Sequence, residues 1–350
     1  MDHQSKPKVS VCMITYNHEP YIAQAIEGVL MQETDFPVEL VIGEDCSTDN
    51  TRKICEDYAK RYPDKIRLHA RESNLGMSQN FVKTICECRG EYIAFCEGDD
   101  FWTYEQKLAE QVEFLEKNRN YSGACTAVRV LEDATGMYFP LPAHDRLGEY
   151  EDITVERYLT EGILINTCTF VARRAFIDTS IFEGNDLACD FAVFILAMDK
   201  GPVRFHNVPT AVYRVNQGSV TFSRDWGKFA KLIHDCLETY DQHTNGRYAA
   251  SVAIKRRYTA MVQTLSDARV GILQKAALIG RYALLNRLRP NEVKSLIGYA
   301  FPRAMKKAMT AKRKLRSNVL EKRGSTRGLQ SPSMRGAPYL LASSSLYMGP

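Results

Sequence analysis

The chain has 350 residues, of which 45% are hydrophobic and 25% charged, a composition typical of folded globular proteins that excludes a disordered chain. This length is enough for one large or two modest domains. The net charge of +4 is unevenly distributed, because residues 1–250 carry 26 Lys/Arg against 39 Asp/Glu and residues 251–350 carry 20 against 3. The charges therefore indicate an acidic folded body with a basic C-terminal segment, suited to a polyanion or an anionic membrane.

The first hundred residues alternate between apolar runs and helical patterns. The predicted elements are, in order, a strand at 9–16, a helix at 21–30, a strand at 38–43, a helix ending near 61, a strand at 66–70, a helix at 78–88 and a strand at 91–96. This alternation is typical of a parallel, doubly wound sheet. Ligands of such sheets bind beyond the carboxyl ends of the strands, where Tyr16, Asp45 and Asp99 lie.

The second half of the chain is less regular. The predicted elements are a helix at 108–115, a strand at 123–131, a loop at 134–150, a strand at 167–172, a helix from 191, strands at 203–205 and 211–215, and only helices after about 226. Basic residues interrupt the apolar stretch 270–288, which excludes a membrane-spanning helix of about 20 mainly apolar residues. Residues 324–350, rich in Ser, Gly and Pro, are predicted to be a disordered tail.

The cysteines and the N-terminus indicate a location. Several of the ten cysteines lie inside strand-like apolar runs, and no Cys-x-x-Cys pair is present, so a structural zinc site is not expected. The first residues lack the apolar stretch of a signal peptide. A reducing cytoplasm is the expected location.

Three carboxylates follow the predicted strand at 91–96 within four residues: Glu97, Asp99 and Asp100. Burying crowded carboxylates is costly unless a cation compensates their charge. A divalent ion with oxygen ligands, completed by phosphate oxygens, would supply that compensation. The alternative is a solvated acidic turn, which is common after a strand.

Four ordered segments, at residues 9–17, 43–51, 74–76 and 90–100, resemble family-2 glycosyltransferases, which are inverting enzymes that use nucleotide-activated sugars. The resemblance covers residues 7–220 and implies the α/β GT-A fold, a Rossmann-like, doubly wound, mostly parallel sheet with a C-terminal helical extension. The predicted division of the chain is a catalytic domain at 1–225 (nucleotide-sugar half about 7–102, acceptor half about 103–225), followed, from the helical pattern and composition alone, by a basic helical extension at 226–323 and a tail at 324–350.

The resemblance also implies roles at the nucleotide and metal sites. Tyr16 would stack near the base, and Asp45 would accept a hydrogen bond from the imide of uracil, for which a carboxylate is a good partner. The family's Asp-x-Asp signature, which holds Mn²⁺ or Mg²⁺, reads Glu97-Gly98-Asp99 here. Asp99 is the implied metal ligand, and Glu97 could reach a ribose hydroxyl or a metal-bound water. The structural alternatives are a packed aromatic for Tyr16 and a helix cap for Asp45.

An inverting transfer also needs a carboxylate that takes the proton of the acceptor hydroxyl. Asp190, just before a predicted helix, matches the family's base position, and Asp186 in the same loop is its competitor. Arg214 would contact phosphate, with a surface salt bridge as the alternative. Asn216 stands where the family has a histidine near the metal, so the role of that loop is open.

The resemblance therefore implies metal-dependent transfer of one sugar, from a UDP-sugar, to a saccharide or lipid-linked saccharide in the synthesis of a cell-surface polysaccharide or glycolipid. The basic segment at 265–323 would lie on an anionic membrane, at the inner face of the plasma membrane. A sugar-nucleotide nucleotidyltransferase and a non-enzymatic polyanion-binding protein are the alternatives. Nucleic acid is not an expected partner, because no recognition motif is visible.

Overall fold

The protein is described from a computed structural model, which covers residues 6–141, 144–161, 165–182, 189–216 and 226–285, together with residues 297 and 300. Ten strands in these segments form one sheet. They are β1 (Val9–Thr15), β2 (Val38–Glu44), β3 (Ile66–Ala70), β4 (Tyr92–Phe95), β5 (Phe101–Trp102), β6 (Gly123–Glu132), β7 (Met137–Pro140), β8 (Tyr150–Ile153), β9 (Val171–Arg173) and β10 (Val203–Val215).

Helices cover the sheet and continue beyond its last strand. They are α1 (Ile22–Leu30), α2 (Thr51–Arg61), α3 (Met77–Glu87), α4 (Lys107–Lys117), α5 (Val155–Thr160), α6 (Asp190–Asp199), α7 (Trp226–His243), α8 (Ala249–Ser266) and α9 (Ile272–Leu285). Periodic burial explains how a helix such as α1 packs: Ile22, Ala25, Ile26 and Val29 are buried at the spacing that places them on one face.

The strand order is β3-β2-β1-β4-β9-β6-β10-β5, with β7 paired to β6 and β8 paired to β10. The pairs among β1, β2, β3 and β4 are parallel, as the sequence predicted, and so is the β6–β10 pair. The pairs that β5, β7, β8 and β9 make are antiparallel, so the parallel arrangement extends less far than predicted. The parallel strands β1, β2 and β4 end at one edge of the sheet, and that edge carries the candidate site.

The C-terminal helices share the core of the sheet. Leu237 of α7 and Val262 of α8 belong to the same cluster of buried apolar side chains as β1 and β4. Outside the core, Arg247 forms an ion pair of 2.9 Å with Asp199 of α6. The first helices after residue 226 are therefore packed onto the sheet and α6.

Three predicted elements differ from the structure. The strand predicted at 167–172 is a 3-10 helix over Thr167–Thr169 followed by β9, because the Thr169 hydroxyl bonds to the carbonyl of Asn166 (2.8 Å). The loop predicted at 134–150 contains β7 and the first residue of β8. The strands predicted at 203–205 and 211–215 form the single strand β10, whose register shifts around Pro209, a residue without an N–H donor.

Other expectations fall on segments without a description. Asp186 lies outside the described residues, and so do the densely basic stretch 303–323 and the tail at 324–350. Within the segments that are described, no helix combines the length and the apolar character needed to cross a membrane.

Candidate active site

The loops after β1, β2 and β4 are joined to one another at the edge of the sheet. The N–H of Asp45 donates to the carbonyl of Thr15 (3.0 Å), and the N–H of Gly98 donates to the carbonyl of Ile14 (3.0 Å). These bonds extend the β1–β2 and β1–β4 pairing beyond the strands. The structure therefore brings together the loops that carry Tyr16, Asp45 and Asp99, as the sequence predicted.

Two of these loops interlock through side chains. Asn17 and Cys46 both have left-handed backbone conformations, with φ of 54° and 61°. The N–H of Asn17 donates to Ser47 Oγ (3.0 Å), and Asn17 Oδ1 accepts the N–H of Thr48 (2.8 Å). Asparagine tolerates this conformation better than most residues. The cross-loop bonds fix the backbone beside Tyr16, whose side chain is 42% exposed and open to a ligand.

The carboxylate of Asp45 holds a third loop. Its Oδ1 accepts the N–H of Leu75 (2.8 Å) and its Oδ2 accepts the N–H of Gly76 (3.0 Å), so it anchors the segment that starts α3. Gly76 has a φ of 80°, which favours glycine. Asp45 is only 3% exposed, yet each carboxylate oxygen can accept a second hydrogen bond.

Gly98 fits a space that has no room for a side chain. A Cβ at this position would lie 2.5 Å from Thr15 Oγ1 and 3.0 Å from His18 Nδ1. Because the loop is pressed against the end of β1, the carboxylates on either side of Gly98 are held in fixed positions. The glycine between Glu97 and Asp99 is thus required by packing.

The acidic loop carries an unbalanced charge in this structure. Burial, followed by the nearby carboxylates of Asp99 and Asp190, raises the pKa of Glu97 to about 8. Burial and the carboxylates of Asp99 and Glu97 likewise raise the pKa of Asp100 well above its usual range. Glu97 Oε2 is buried and has no hydrogen-bond partner among the described residues. The carboxylates are therefore not a solvated turn, and a cation would relieve their repulsion.

Asp99 is the carboxylate of this loop that faces the open side, with its side chain 18% exposed. Asn216 Nδ2 donates to Asp99 Oδ2 over a long 3.5 Å, and His18 Nε2 lies 4.0 Å from the same oxygen. Asn216, which replaces the family's histidine, is thus next to Asp99 on one side, and His18 is next to it on another.

Arg214 braces the acidic loop from behind. Its Nε donates to the carbonyl of Asp99 (2.9 Å), its Nη1 to Asp133 (3.1 Å) and its Nη2 to Gln24 (2.7 Å), while its backbone N–H donates to Asp100 Oδ1 (2.8 Å). The ring of Tyr21 lies 4.6 Å from the guanidinium carbon. The side chain is 7% exposed. Arg214 therefore joins α1, β10, the acidic loop and the turn after β6.

Asp190 lies at the first residue of α6 and close to Glu97. Asp190 Oδ1 accepts the N–H of Phe191 (2.7 Å), and its Oδ2 accepts the Thr167 hydroxyl (3.2 Å). Thr167 is also close enough to Glu97 to lower the pKa of that acid, so its hydroxyl lies near both acids. The structure thus brings the predicted base to the same site as Glu97 and Asp99.

Sequence reasoning missed three contributors to the site: His18, Thr167 and Asp133. No role is predicted for His18 from the sequence, although its position directly after a strand end is a usable signal. Thr167 was assigned to a strand. Asp133 lies between the strand predicted at 123–131 and the loop predicted at 134–150, and nothing in the sequence indicates its contact with Arg214, which lies 81 residues away in the chain.

Comparison with known proteins matches this architecture to one family. The family described as glycosyl transferase family 2 matches residues 10–180. The dTDP-rhamnosyl transferase RfbG of Shigella flexneri is 33% identical over 250 residues, 70% of this chain and 76% of that protein. The putative glycosyltransferase EpsE of Bacillus subtilis is 37% identical over 129 residues, 37% of this chain and 46% of that protein.

An uncharacterized protein of Mycobacterium tuberculosis is 33% identical over 208 residues, 59% of this chain and 58% of that protein. The chain therefore spans only about half of the length of the Mycobacterium tuberculosis protein and of EpsE.

Two solved structures share the fold. Residues 1–349 of TarS of S. aureus, in complex with UDP-GlcNAc, superpose with a TM-score of 0.56 at 18% identity, over 83% of both chains. The mannosyltransferase PcManGT of Pyrobaculum calidifontis, in complex with GDP-Man and Mn²⁺, gives a TM-score of 0.52 at 18% identity, over 86% of this chain and 87% of that one. With the sheet, the acidic strand-end loop and the extent of the match to RfbG, these findings show that the chain is a member of glycosyl transferase family 2 with the GT-A fold.

Proposed function

We propose that this protein transfers one sugar, with inversion, from a nucleotide sugar to a saccharide or lipid-linked saccharide acceptor. The observation that carries the proposal is the convergence of Asp99, Glu97 and Asp190 at the strand-end edge, with a buried Glu97 oxygen left unpartnered among the described residues. Such a concentration of negative charge suits a site that binds a cation and handles a proton.

The donor set fits a divalent cation. Asp99 offers a partly exposed carboxylate, the hard ligand that Mn²⁺ and Mg²⁺ accept, and an ion there would lower the repulsion that Glu97 experiences. Among the described residues, no group of three or more His, Cys, Asp or Glu side chains is arranged as a complete metal site. Asp99 would therefore hold the ion together with donor phosphate oxygens, and the bound ion would neutralise charge on the leaving diphosphate.

Asp190 is proposed as the general base. Its carboxylate is fixed by the N–H of Phe191 and by Thr167, so one oxygen lone pair can be aimed at an acceptor hydroxyl without rearrangement of the helix. Asp190 also lies close enough to Glu97 for its charge to raise the pKa of that acid, so the proposed base belongs to the same cluster as the acidic loop. Arg214 and Asp100 would act by holding the acidic loop, since the guanidinium of Arg214 already donates hydrogen bonds to Asp99, Asp133 and Gln24.

The base of the donor nucleotide is proposed to be a pyrimidine. Tyr16 provides an exposed ring for stacking, and Asp45 could accept the N–H of uracil or thymine with its remaining lone pairs. RfbG is a dTDP-rhamnosyl transferase, and TarS was solved with UDP-GlcNAc, whereas PcManGT was solved with GDP-Man. UDP-sugars are proposed first and dTDP-sugars second.

The C-terminal part is proposed to place the enzyme on an anionic membrane surface from the inner side of the cell. Exposed Ile272, Leu273 and Leu284 on α9 support this assignment, because apolar side chains beside basic ones suit the lipid interface. The division into a catalytic domain at 1–225, a basic extension at 226–323 and a tail at 324–350 stays a prediction. A lipid-linked acceptor would fit such a position.

The decisive experiment is a donor panel with the full chain and no acceptor. UDP-, dTDP- and GDP-sugars are incubated with Mn²⁺, Mg²⁺ or EDTA, and release of free nucleotide is measured, since a transferase can pass its sugar slowly to water. We expect hydrolysis of a pyrimidine-nucleotide sugar that EDTA abolishes. Release of pyrophosphate from a nucleoside triphosphate and a sugar phosphate would instead indicate the nucleotidyltransferase alternative. The shift in melting temperature that each nucleotide produces is measured alongside, and equal shifts with every nucleotide would reject the pyrimidine assignment.

A further inference from the structure

His18 lies directly after the end of β1 and faces the carboxylate of Asp99. Its Nε2 is 4.0 Å from Asp99 Oδ2, and its side chain is 23% exposed. This distance is too long for a hydrogen bond. It is short enough for both atoms to bind one ion through bonds of about 2.1 Å. The two atoms are therefore close enough to bind the same small cation.

The imidazole of His18 is held in place on its other side. Its Nδ1 lies 3.2 Å from Thr15 Oγ1, and its backbone N–H donates to Thr51 Oγ1 (2.8 Å). The backbone at Gly98 lies so close that a Cβ there would be 3.0 Å from His18 Nδ1. These contacts place Nε2 as the ring nitrogen on the side of the Asp99 carboxylate.

The contact with Thr15 also suits a metal-binding histidine. Histidines that bind metals commonly donate their second ring N–H to a fixed acceptor, which leaves the lone pair of the first nitrogen for the ion. Nδ1 lies within hydrogen-bond distance of Thr15 Oγ1, and in the tautomer whose Nδ1–H donates to this hydroxyl the lone pair belongs to Nε2. Thr15 is buried, so water does not compete for this contact.

We propose that His18 is a second side-chain ligand of the cation at Asp99, and that its imidazole makes the site select Mn²⁺ over Mg²⁺. The inference rests on the cation site of the proposed function and specifies which ion that site takes. Mg²⁺ favours oxygen ligands and loses water reluctantly, whereas imidazole is a good ligand for first-row transition ions. A carboxylate paired with an imidazole therefore discriminates between ions that a carboxylate alone accepts about equally.

The test compares wild type with His18→Ala and His18→Asp in the full chain. Binding of Mn²⁺ without nucleotide is followed by the electron paramagnetic resonance signal of the free ion, and Mg²⁺ is measured by competition. We expect His18→Ala to weaken Mn²⁺ binding by about 10-fold or more and Mg²⁺ binding much less. His18→Asp, which restores an oxygen ligand, should bind both ions with little preference. His206→Ala is the matched control, because His206 stacks on Tyr150 in a different part of the sheet.

Two further measurements keep the test decisive. Thr15→Val removes the hydroxyl beside Nδ1 without changing the shape of the residue, and it should weaken Mn²⁺ binding less than His18→Ala does. The shift in melting temperature that UDP produces should fall in His18→Ala with Mn²⁺ and stay unchanged in EDTA.

Equal Mn²⁺ affinities of wild type and His18→Ala, or equal losses for Mn²⁺ and Mg²⁺, overturn the role of His18. A fall of the UDP shift in EDTA also overturns it, because His18 would then contact the nucleotide itself. If wild type responds neither to Mn²⁺ nor to UDP, the proposed function fails as well. The two failures are thus distinguishable.

Discussion

Lys255 provides a sharp test of the structure away from the active site. It lies in α8, is 1% exposed, and its Nζ has no hydrogen-bond partner among the described residues. The ring of Tyr258 lies 5.7 Å from Nζ and offers a weak cation–π contact. A buried, unpartnered ammonium group should destabilise the folded protein, and its replacement by methionine, which has a similar shape, should stabilise it.

The magnitude follows from the pKa of Lys255, which burial lowers from 10.5 to about 7. One pKa unit corresponds to about 1.4 kcal/mol, so the cost of the charge below pH 7 is at most about 5 kcal/mol. The cation–π contact and local relaxation offset part of it, and we expect Lys255→Met to raise the free energy of unfolding by about 2–3 kcal/mol at pH 6.5. Between pH 7 and 10.5 the unfolded state binds more protons at Lys255 than the folded state does. The wild type therefore gains stability as the pH rises, and the difference in unfolding free energy between wild type and Lys255→Met becomes smaller.

The measurement is urea unfolding of both proteins at pH 6.5, 8 and 9.5. Lys107→Met is the informative comparison. Burial lowers the pKa of Lys107 to about 8, but its Nζ donates to Gln111 Oε1 (2.7 Å) and to the carbonyl of Thr169 (3.3 Å). Removing that ammonium leaves Gln111 Oε1 without this donor, whereas the Thr169 carbonyl keeps its bond from Gln111 Nε2 (3.0 Å), so the replacement should stabilise less or destabilise. A Lys255→Met protein that is less stable than wild type at pH 6.5, or a difference independent of pH, would refute the reasoning.

Three further predictions concern the site. Asp190→Asn should lower kcat by about 10²–10⁴-fold without changing nucleotide affinity, whereas Asp199→Asn at the other end of α6 should leave kcat unchanged. Steady-state kinetics of both variants test this, and an Asp190→Asn protein with wild-type kcat rejects the assignment of Asp190 as the base. Gly98→Ala should lower the free energy of unfolding by about 1–3 kcal/mol and weaken Mn²⁺ binding. Gly280 is an exposed helical position with nothing near the place that a Cβ would take, so Gly280→Ala should raise the free energy of unfolding by up to about 1 kcal/mol, and thermal unfolding of the two variants checks both values. Tyr16→Ala should weaken UDP binding in calorimetry and leave the melting temperature of the free protein unchanged, and an unaltered affinity would remove the stacking role.

The sequence predicted the first half of the sheet well because β1, β2 and β4 are apolar on both faces, and such runs have few other interpretations. β5 has only two residues and owes its existence to pairing with Ala211 and Val212, which no local pattern can indicate. Thr167 has a high strand propensity, yet local hydrogen bonds and the contact with Asp190 give a 3-10 turn.

The site shows the same division between local and distant information. The positions of Asp45 and Asp99 follow from strand ends, which the sequence displays. The surroundings of Arg214 do not, because Gln24 and Asp133 reach it from distant segments of the chain and only the folded sheet brings them together. The raised pKa of Glu97 is likewise a consequence of burial and of Asp190, neither of which is visible in the motif itself.

The interlocked loops after β1 and β2 affect the kinetics of ligand association. Asn17, Ser47 and Thr48 fix the backbone on both sides of the base-binding position before any ligand arrives. Ordering a flexible loop costs about 1–2 kcal/mol per residue, and here that loss of freedom accompanies folding of the chain. Nucleotide entry at this edge is therefore expected to proceed without a slow ordering step, so the association rate should depend on diffusion and charge, while differences among donors should arise mainly in how fast they leave.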